Sequence, residues 1–451
     1  MKKPKRLGRL LSRTVAVAAT GLMIGGALVA CSSSPGASGS GTSATSAQIE
    51  AALQKKSTIT YWSWTPSAKA QVAAFEKQYP NVTVKLVNAG TGNDQYTKLQ
   101  NAIKAGSGAP DVAQIEYFAL PQFALSNSLV DLSKFGFDSL KSDFSASTWS
   151  SVDLNGGLYG LPQDSGPMAL FYNKAVFDQY GLTVPKTWDE YIADAQKLHA
   201  ADPTKYITND SGDPGLTTSL IWQAGGQPYK SDGTKVTINL QDAGSKKWAD
   251  TWDKLIEPGL VSTQPSWNDA WYKGLGDGTI ASLLAGAWMP GVLEGSVAGS
   301  AGNWRVAPLP SYDGSAVTSE NGGSSQVVLK QSKNQLVAAG FLKWLNAGKG
   351  VPVFLKSGGF PSTTAQLESS SFLNDAPSYF GGQKINEVLV QASKDVVPGW
   401  QYLPFQAYAN SIYSDSVGQS YANKTDLNAG LSAWEKSSVS YGNEQGFTVN
   451  K

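Results

Sequence analysis

Residues 58–87 read TITYWSWTPSAKAQVAAFEKQYPNVTVKLV, and this stretch decides the fold. The β-branched and aromatic residues at its start, 58–64, predict a strand. Residues 68–78 predict a helix that the pair Tyr79-Pro80 ends, and residues 82–87 predict a second strand. A strand, a helix and a strand in this order form a βαβ unit, which joins parallel strands.

The same alternation continues along the chain. Strands or extended segments are predicted over 111–115, 158–162, 168–172 and 326–329. Helices are predicted over 96–104, 119–126, 188–199, 243–255, 333–345 and 427–441. Repeated βα units predict an α/β fold with a largely parallel sheet that helices cover on both faces.

The N-terminus has the pattern of an export signal. Six basic side chains precede an apolar stretch from Val15 to Ala30, which is short and glycine-rich for a membrane span. The run Leu28-Val29-Ala30-Cys31 resembles a bacterial lipobox, which predicts a signal peptide over 1–30 and a diacylglycerol thioether on Cys31. Two alternatives stay open: ordinary cleavage near Ala30 that leaves Cys31 as a free thiol, and a retained helical anchor. Residues 31–57 are expected to form a flexible tether, because they begin with a Ser, Gly and Ala tract that cannot bury apolar area.

Composition narrows the chemistry. Cys31 is the only cysteine and His199 the only histidine, so the sequence predicts no metal site, no cofactor and no histidine-based nucleophile. His199 itself fits a solvated helix end before Asp202-Pro203. Removing residues 1–30 leaves a net charge of −5, which argues against nucleic acid as a partner. The 14 Trp and 18 Tyr exceed what packing alone usually requires.

Several segments, in a fixed order, resemble the family 1 extracellular solute-binding proteins of bacterial ABC sugar importers. They are Phe75 to Val82, Gly108 to Val112, Gly160 to Pro162, Phe171 to Lys174, Gly181 to Tyr191, Ala285 to Trp288, Ala307 to Pro310 and Gly322-Gly323. Residues 277–281, Asp-Gly-Thr-Ile-Ala, depart from the Gly-Lys-Ala-Met-like turn of that family.

This resemblance implies a two-lobed periplasmic-binding-protein-like fold of type II, with lobes joined by hinge crossovers. The expected crossings lie near 162–166, 306–310 and 347–352. Lobe I is expected to comprise 58–163 and 311–348, and lobe II 164–310 and 351–451. Solute would lie in the cleft between the lobes, which would close like a hinge on it.

A sugar site needs flat aromatic platforms and hydrogen-bonding side chains that satisfy buried hydroxyl groups. The predicted aromatic side chains are Trp62, Trp64, Trp222, Trp267, Trp288, Phe360, Trp400 and Tyr402. Trp222, Trp288 and Trp400 are flanked by Gly or Pro, as a loop-borne platform would be, whereas Trp252 and Trp344 lie in periodic apolar runs typical of packing.

The predicted polar rim follows the ends of strands, where open α/β sheets bind ligands. Glu116 comes after the strand at 111–115, and Asp164 after the first expected crossing. Asn93 and Asp94 follow the second strand, and Gly322-Gly323 would let backbone amides approach the ligand. Carboxylates suit this role because charge-assisted hydrogen bonds are strong.

The resemblance implies a non-enzymatic, monomeric carbohydrate receptor. It would be exported and anchored by lipid to the outer face of the cytoplasmic membrane. Its expected ligand is a sugar, specifically an oligosaccharide, which it would deliver to the transmembrane subunits of an ABC permease. Two other functions stay open at this point. A secreted glycoside hydrolase would also use paired carboxylates beside aromatic platforms, and the same fold could bind a non-sugar solute.

Overall fold

The computed structural model describes residues 45–450. The predicted signal peptide, Cys31 and the first part of the predicted tether lie outside the described residues. Within the described part of the chain, no helix is both long enough and apolar enough to cross a membrane.

Fifteen strands alternate with helices along the described chain. The strands are β1 (Ser57–Trp62), β2 (Val82–Val87), β3 (Val112–Glu116), β4 (Asp153–Leu154), β5 (Gly157–Leu158), β6 (Leu161–Pro162), β7 (Met168–Asn173), β8 (Thr208–Asn209), β9 (Tyr229–Asp232), β10 (Lys235–Ile238), β11 (Val261–Ser262), β12 (Ser282–Gly286), β13 (Trp304–Pro308), β14 (Ser324–Val328) and β15 (Thr448–Asn450).

The helices are α1 (Ser46–Leu53), α2 (Ala68–Gln78), α3 (Asn93–Ala105), α4 (Leu120–Leu125), α5 (Ala146–Ser150), α6 (Lys174–Tyr180), α7 (Trp188–Ala201), α8 (Pro214–Gln223), α9 (Ala243–Ile256), α10 (Asp269–Gly276), α11 (Met289–Ser296), α12 (Gln335–Ala347), α13 (Gly350–Leu355), α14 (Thr364–Leu367), α15 (Ser370–Leu373), α16 (Ile385–Lys394), α17 (Gln406–Ser411), α18 (Val417–Asn423) and α19 (Leu427–Glu444). Short 3-10 turns cover Leu132–Phe135, Phe137–Asp143, Ala298–Ser300, Ser378–Phe380 and Tyr413–Asp415.

Lobe I, which we define as residues 46–162 and 324–355, is built on a five-stranded sheet of order β2-β1-β3-β14-β6. The strands β2, β1 and β3 pair in parallel, whereas β14 pairs antiparallel with β3 and with β6. Strands β3 and β14 are buried along almost their whole length, so they lack the alternation of buried and exposed residues seen in β2. The α/β class and the opening βαβ unit are therefore confirmed.

Lobe II, which we define as residues 168–318 and 360–450, has a central sheet of order β12-β7-β13. Both neighbours of β7 run antiparallel to it, so the prediction of a largely parallel sheet is wrong for this lobe. The reason is that a short apolar run predicts a buried strand but does not indicate whether that strand pairs in parallel or antiparallel with its neighbours. Separate hydrophobic cores fill the two lobes, and Trp252 and Trp344 are buried in them.

Three segments connect the lobes. The first runs from β6 to β7, through residues 163–167, close to the expected position. The second lies at 319–323, because β13 pairs within the lobe II sheet and Thr318 Oγ1 donates to the carbonyl oxygen of Met168 at 2.9 Å. The third follows Leu355, because α13 packs against α2 and α12 in lobe I. The expected crossings at 306–310 and 347–352 therefore lie inside lobe II and lobe I respectively.

The N-terminal part of the described chain is a helix, where a flexible tether was predicted. Thr45 forms a capping box with Gln48 at the start of α1. Ile49 and Leu53 are buried against α12, and a Cβ atom at Gly340 would lie 2.8 Å from the Ile49 side chain. The prediction of a flexible tether is therefore wrong for residues 46–53, because these apolar side chains give the helix a partner surface in lobe I.

Candidate functional site

A cleft of about 620 Å³ lies between the lobes and is lined by both of them and by two of the connecting segments. Its lining residues are Trp64, Thr65, Pro66, Asn93, Gln114, Glu116, Phe118, Asp164, Asp213, Pro214, Gly215, Thr218, Ser219, Trp267, Trp288, Asn321, Gly322, Gly323, Ser324, Tyr402, Gln406, Asn410 and Ser411.

The lobe I wall forms where strands β1 and β3 end. Gln114 Oε1 accepts hydrogen bonds from Ser63 Oγ at 2.7 Å, Thr65 Oγ1 at 2.7 Å and the Trp64 backbone N–H at 3.2 Å. This buried amide fixes the loop that follows β1. The Trp64 ring, which is partly exposed, meets Tyr96 edge to face with the ring centroids 6.2 Å apart. The loop therefore presents the indole of Trp64 to the cleft.

The floor of the cleft is the second connecting segment. Gly322 and Gly323 have φ of 81° and 97°, a conformation that favours glycine. A Cβ atom at Gly323 would lie 2.6 Å from the Tyr117 ring, and one at Gly322 would lie 3.1 Å from Trp288 Nε1. That indole nitrogen donates to the Asn321 carbonyl oxygen at 2.7 Å. The two glycines thus let the chain pass between two aromatic side chains.

Two carboxyl groups face the cleft from lobe I and from the first connecting segment. Glu116 Oε2 accepts a hydrogen bond from Tyr96 Oη at 2.8 Å, and Asp164 Oδ1 accepts one from the Ser324 backbone N–H at 2.6 Å. Burial raises the pKa of Glu116 to about 7, and the charge of Asp164 adds to this effect. Burial likewise raises the pKa of Asp164 to about 6, with a further contribution from the charge of Glu320. Both carboxyl groups therefore change charge near neutral pH.

Glu320 lies beside these groups, at the junction of the lobes. Its carboxylate accepts hydrogen bonds from Ser147 Oγ at 2.7 Å, Ser165 Oγ at 3.1 Å and the Gly166 backbone N–H at 2.6 Å. The side chain is buried, and burial raises its pKa. Glu320 therefore ties helix α5 of lobe I to the two segments that cross between the lobes.

The lobe II wall is polar along helix α8. Asp213 Oδ1 caps this helix by accepting from the Gly215 and Leu216 backbone N–H groups at 2.6 and 2.9 Å. Ser219 Oγ donates to the Glu320 carbonyl oxygen at 2.8 Å. No lysine, arginine or histidine is among the residues that line the cleft in the described chain, so its electrostatic character is acidic. The described residues also contain no group of His, Cys, Asp or Glu that could hold a metal ion.

The structure brings most of the predicted site residues together. Trp64, Asn93, Glu116, Asp164, Trp267, Trp288, Gly322, Gly323 and Tyr402 line the cleft. Trp62 instead packs against the lobe I core from within β1. Asp94 is exposed in the first turn of α3, and Phe360 is buried in the lobe II core beside Phe372. The positions of these three side chains do not support the predicted contact with solute.

Trp222 and Trp400 lie outside the cleft and pack on one another. Their rings are stacked, with centroids 5.1 Å apart and planes 8° apart, and Trp222 Nε1 donates to the Val397 carbonyl oxygen at 2.6 Å. Both line a separate cavity of about 600 Å³ that Ser147 and other residues near α5 also line. Flanking Gly and Pro residues indicate that a tryptophan lies on a loop, but they do not indicate whether that loop faces the cleft.

Several cleft residues were not predicted from the sequence. The sequence did contain an indication for Gln114, because a polar side chain among the apolar residues of β3 suggests a specific hydrogen-bonding role. Asn321 had one too, because it directly precedes the predicted Gly322-Gly323 turn. Thr218 and Ser219 had none, since helix α8 itself was not predicted. The remaining lobe II side chains, including Gln406 and Asn410, come from a region whose helices are short.

Comparisons with known proteins agree with this geometry. A family model described as bacterial extracellular solute-binding protein matches residues 61–350. An ABC transporter associated binding protein from B. animalis subsp. lactis Bl-04, solved in complex with β-1,6-galactobiose, is 45% identical with a TM-score of 0.81, covering 88% of this chain and 100% of that chain.

Two further relatives bind sugars. The galacto-N-biose-/lacto-N-biose I-binding protein of Bifidobacterium longum, solved with lacto-N-biose, is 30% identical with a TM-score of 0.78, covering 87% of this chain and 98% of that chain. A lactose-binding protein of Rhizobium radiobacter is 26% identical, over 72% of this chain and 80% of the relative. In each case the likeness spans both lobes.

Proposed function

This chain belongs to the bacterial extracellular solute-binding proteins, and from that membership we propose that its cleft captures a neutral, galactose-containing oligosaccharide for an ABC importer. The protein is an exported solute-binding protein rather than one of the cell interior. Galactobiose, lacto-N-biose and lactose, the sugars named for three of its relatives, all contain galactose, whereas two other relatives are named for arabinooligosaccharides. This shared unit supports galactose as the sugar that the cleft recognises.

The observation that carries the proposal is the composition of the cleft. Trp64, Trp267 and Trp288 supply apolar faces, and Glu116 and Asp164 supply charged acceptors for hydroxyl protons. Because no basic side chain lines the cleft in the described chain, a phosphorylated or uronic sugar would meet only like charge there. A neutral sugar fits this lining, and an anionic one does not.

The arrangement also supports binding without chemistry. The residues that would contact a sugar come from both lobes and from the segments between them, so a bound sugar would contact both walls only when the lobes close. Glu116 and Asp164 are held by Tyr96 and Ser324, and the relatives are named as binding proteins. We therefore expect the sugar to leave unchanged.

Calorimetric titration of the purified chain tests this function. We expect β-1,6-galactobiose to bind with a micromolar or lower dissociation constant, and the disaccharide recovered afterwards to be intact. Digalacturonic acid serves as the anionic control and maltose as the galactose-free control, and both should bind at least about tenfold more weakly. Equal affinity for digalacturonic acid, or no binding of any neutral galactoside, would contradict the proposal.

Lipid anchoring at Cys31 is part of the same proposal. The lipobox-like run before Cys31 supports it, and a receptor tied to the membrane stays near its permease. We expect the unmodified chain to remain in the membrane fraction of cells and the Cys31→Ala variant to appear in the soluble exported fraction with its sugar affinity unchanged. Retention of that variant on the membrane would contradict lipid attachment at this residue.

A further inference from the structure

A second, smaller cavity of about 310 Å³ adjoins the cleft on its lobe II side. Asp213, Pro214, Trp267, Trp288 and Asn321 line both spaces, so they form the boundary between them. We call the smaller space the side cavity. It continues the cleft into lobe II.

Trp267, on that boundary, has two unusual properties. Its side chain is 54% exposed, more than any other large hydrophobic side chain that the structure describes as exposed. Its φ is 70°, in the left-handed region that a bulky residue adopts only at a cost. Such a conformation persists where the surroundings enforce it, and it occurs preferentially at binding sites.

Hydrogen bonds on both sides hold Trp267 in this position. On one side, Asn209 Nδ2 donates to Ser266 Oγ at 2.9 Å. On the other, Asn268 Nδ2 donates to the Pro265 carbonyl oxygen at 2.9 Å, and Asn268 Oδ1 caps helix α10. The indole packs beside Trp271 and Trp288, with ring centroids 5.1 and 5.7 Å away. The loop therefore keeps an exposed aromatic ring over the opening of the side cavity.

The side cavity repeats the chemistry of the cleft. It combines indole rings with the exposed carboxylate of Asp213 and the amide of Asn321, and no basic side chain lines it in the described chain. Asp213 Oδ1 caps helix α8, whereas Oδ2 makes no hydrogen bond within the described residues. The volume is half that of the cleft. If the cleft holds the two rings of a disaccharide, as proposed above, the adjoining space has the volume for one more ring.

We infer that the side cavity is a subsite for a third sugar ring, with Trp267 as the aromatic platform at its entrance. This inference rests on the proposed function, because it assumes that a disaccharide occupies the cleft. It makes the preferred ligand a trisaccharide or longer. Trp267 then determines which oligosaccharide length binds best.

Titrations with β-1,6-galactobiose and β-1,6-galactotriose test the inference. We expect the wild-type chain to bind the triose roughly tenfold more tightly than the biose, because the third ring makes one additional aromatic contact. In Trp267→Gly this ratio should fall to about one, and glycine suits the positive φ, so the fold should be retained. Trp267→Tyr keeps a ring and should preserve most of the ratio.

The outcomes separate the two proposals. If the wild-type chain binds galactobiose but gains nothing from the third ring, the side-cavity inference is overturned while the proposed function stands. An unchanged ratio in Trp267→Gly also overturns it, because Trp267 would then not be the platform. Binding of neither sugar overturns both.

Discussion

Replacing Trp64 with alanine is expected to weaken binding of β-1,6-galactobiose about 10- to 100-fold while leaving the fold intact. The indole is partly exposed and sits on a loop that backbone and hydroxyl groups fasten to Gln114. Its removal therefore takes away an apolar platform without disturbing the loop. Loss of one aromatic side chain together with the apolar area that it buries costs about 1.5–3 kcal/mol, which corresponds to this range. Calorimetry on both proteins measures the effect.

Trp62→Ala provides the matched control for this substitution. Trp62 lies two residues earlier, in β1, and packs against the lobe I core rather than the cleft. We expect this variant to lower the melting temperature but to keep wild-type affinity. The reverse pattern, with affinity lost in Trp62→Ala and kept in Trp64→Ala, would show that the wrong tryptophan has been placed in the site.

Glu116→Gln is expected to lower the affinity for galactobiose and to raise the free energy of unfolding of the ligand-free protein at pH 8. Glutamine keeps an acceptor for Tyr96 Oη but removes the negative charge that would accept sugar hydroxyl protons. Hydrogen bonds to charged groups contribute about 1.5–3 kcal/mol, so galactobiose affinity at pH 8 should fall about tenfold or more. Calorimetric titration at pH 8 measures this loss.

The sign of the stability change follows from the pKa of Glu116, which burial raises from its ordinary value of 4.5 to about 7. A folded state that binds the proton more tightly gains stability at low pH and loses it as pH rises through 7. Because one pKa unit corresponds to about 1.4 kcal/mol, ligand-free Glu116→Gln should be about 1–3 kcal/mol more stable than the wild type at pH 8. Denaturant unfolding at pH 5 and pH 8 checks this difference.

The pH profile of binding distinguishes this role from simple packing. Wild-type affinity should rise between pH 5 and pH 8, as Asp164 and then Glu116 lose their protons, with pKa values of about 6 and 7. Glu116→Gln should keep only the lower of these two transitions. Asp94→Asn, an exposed position outside the cleft, is the control and should match the wild type. A pH-independent wild-type affinity would show that these carboxyl groups do not contact the sugar.

The local sequence pattern was sufficient to predict the opening βαβ unit and the long helices. Ala68–Gln78 is helical over the predicted residues, because its apolar spacing and the following proline act within the segment itself. Glu116 and Trp64 were found for a related reason, since they follow strands whose ends meet at one edge of the sheet.

The features that the sequence did not predict depend on contacts between residues far apart in the chain. The stacking of Trp222 on Trp400 joins helix α8 to a loop far along the chain, and no local signal places that pair away from the cleft. The helix at Ser46–Leu53 exists because lobe I offers Gly340 and its neighbours as a partner surface. The second connecting segment lies at 319–323 and not at the expected 306–310, because residues 304–308 form a strand that pairs with β7 inside lobe II. Apolar content alone does not predict which strands pair.

The most direct test of the account is a crystal structure of the chain with β-1,6-galactobiose. We expect a closed form in which the disaccharide lies between Trp64 and Trp288, with its hydroxyl groups hydrogen-bonded to the carboxylates of Glu116 and Asp164. A disaccharide bound elsewhere, for example against Trp222 and Trp400, or a bound sugar that contacts neither carboxylate, would contradict it.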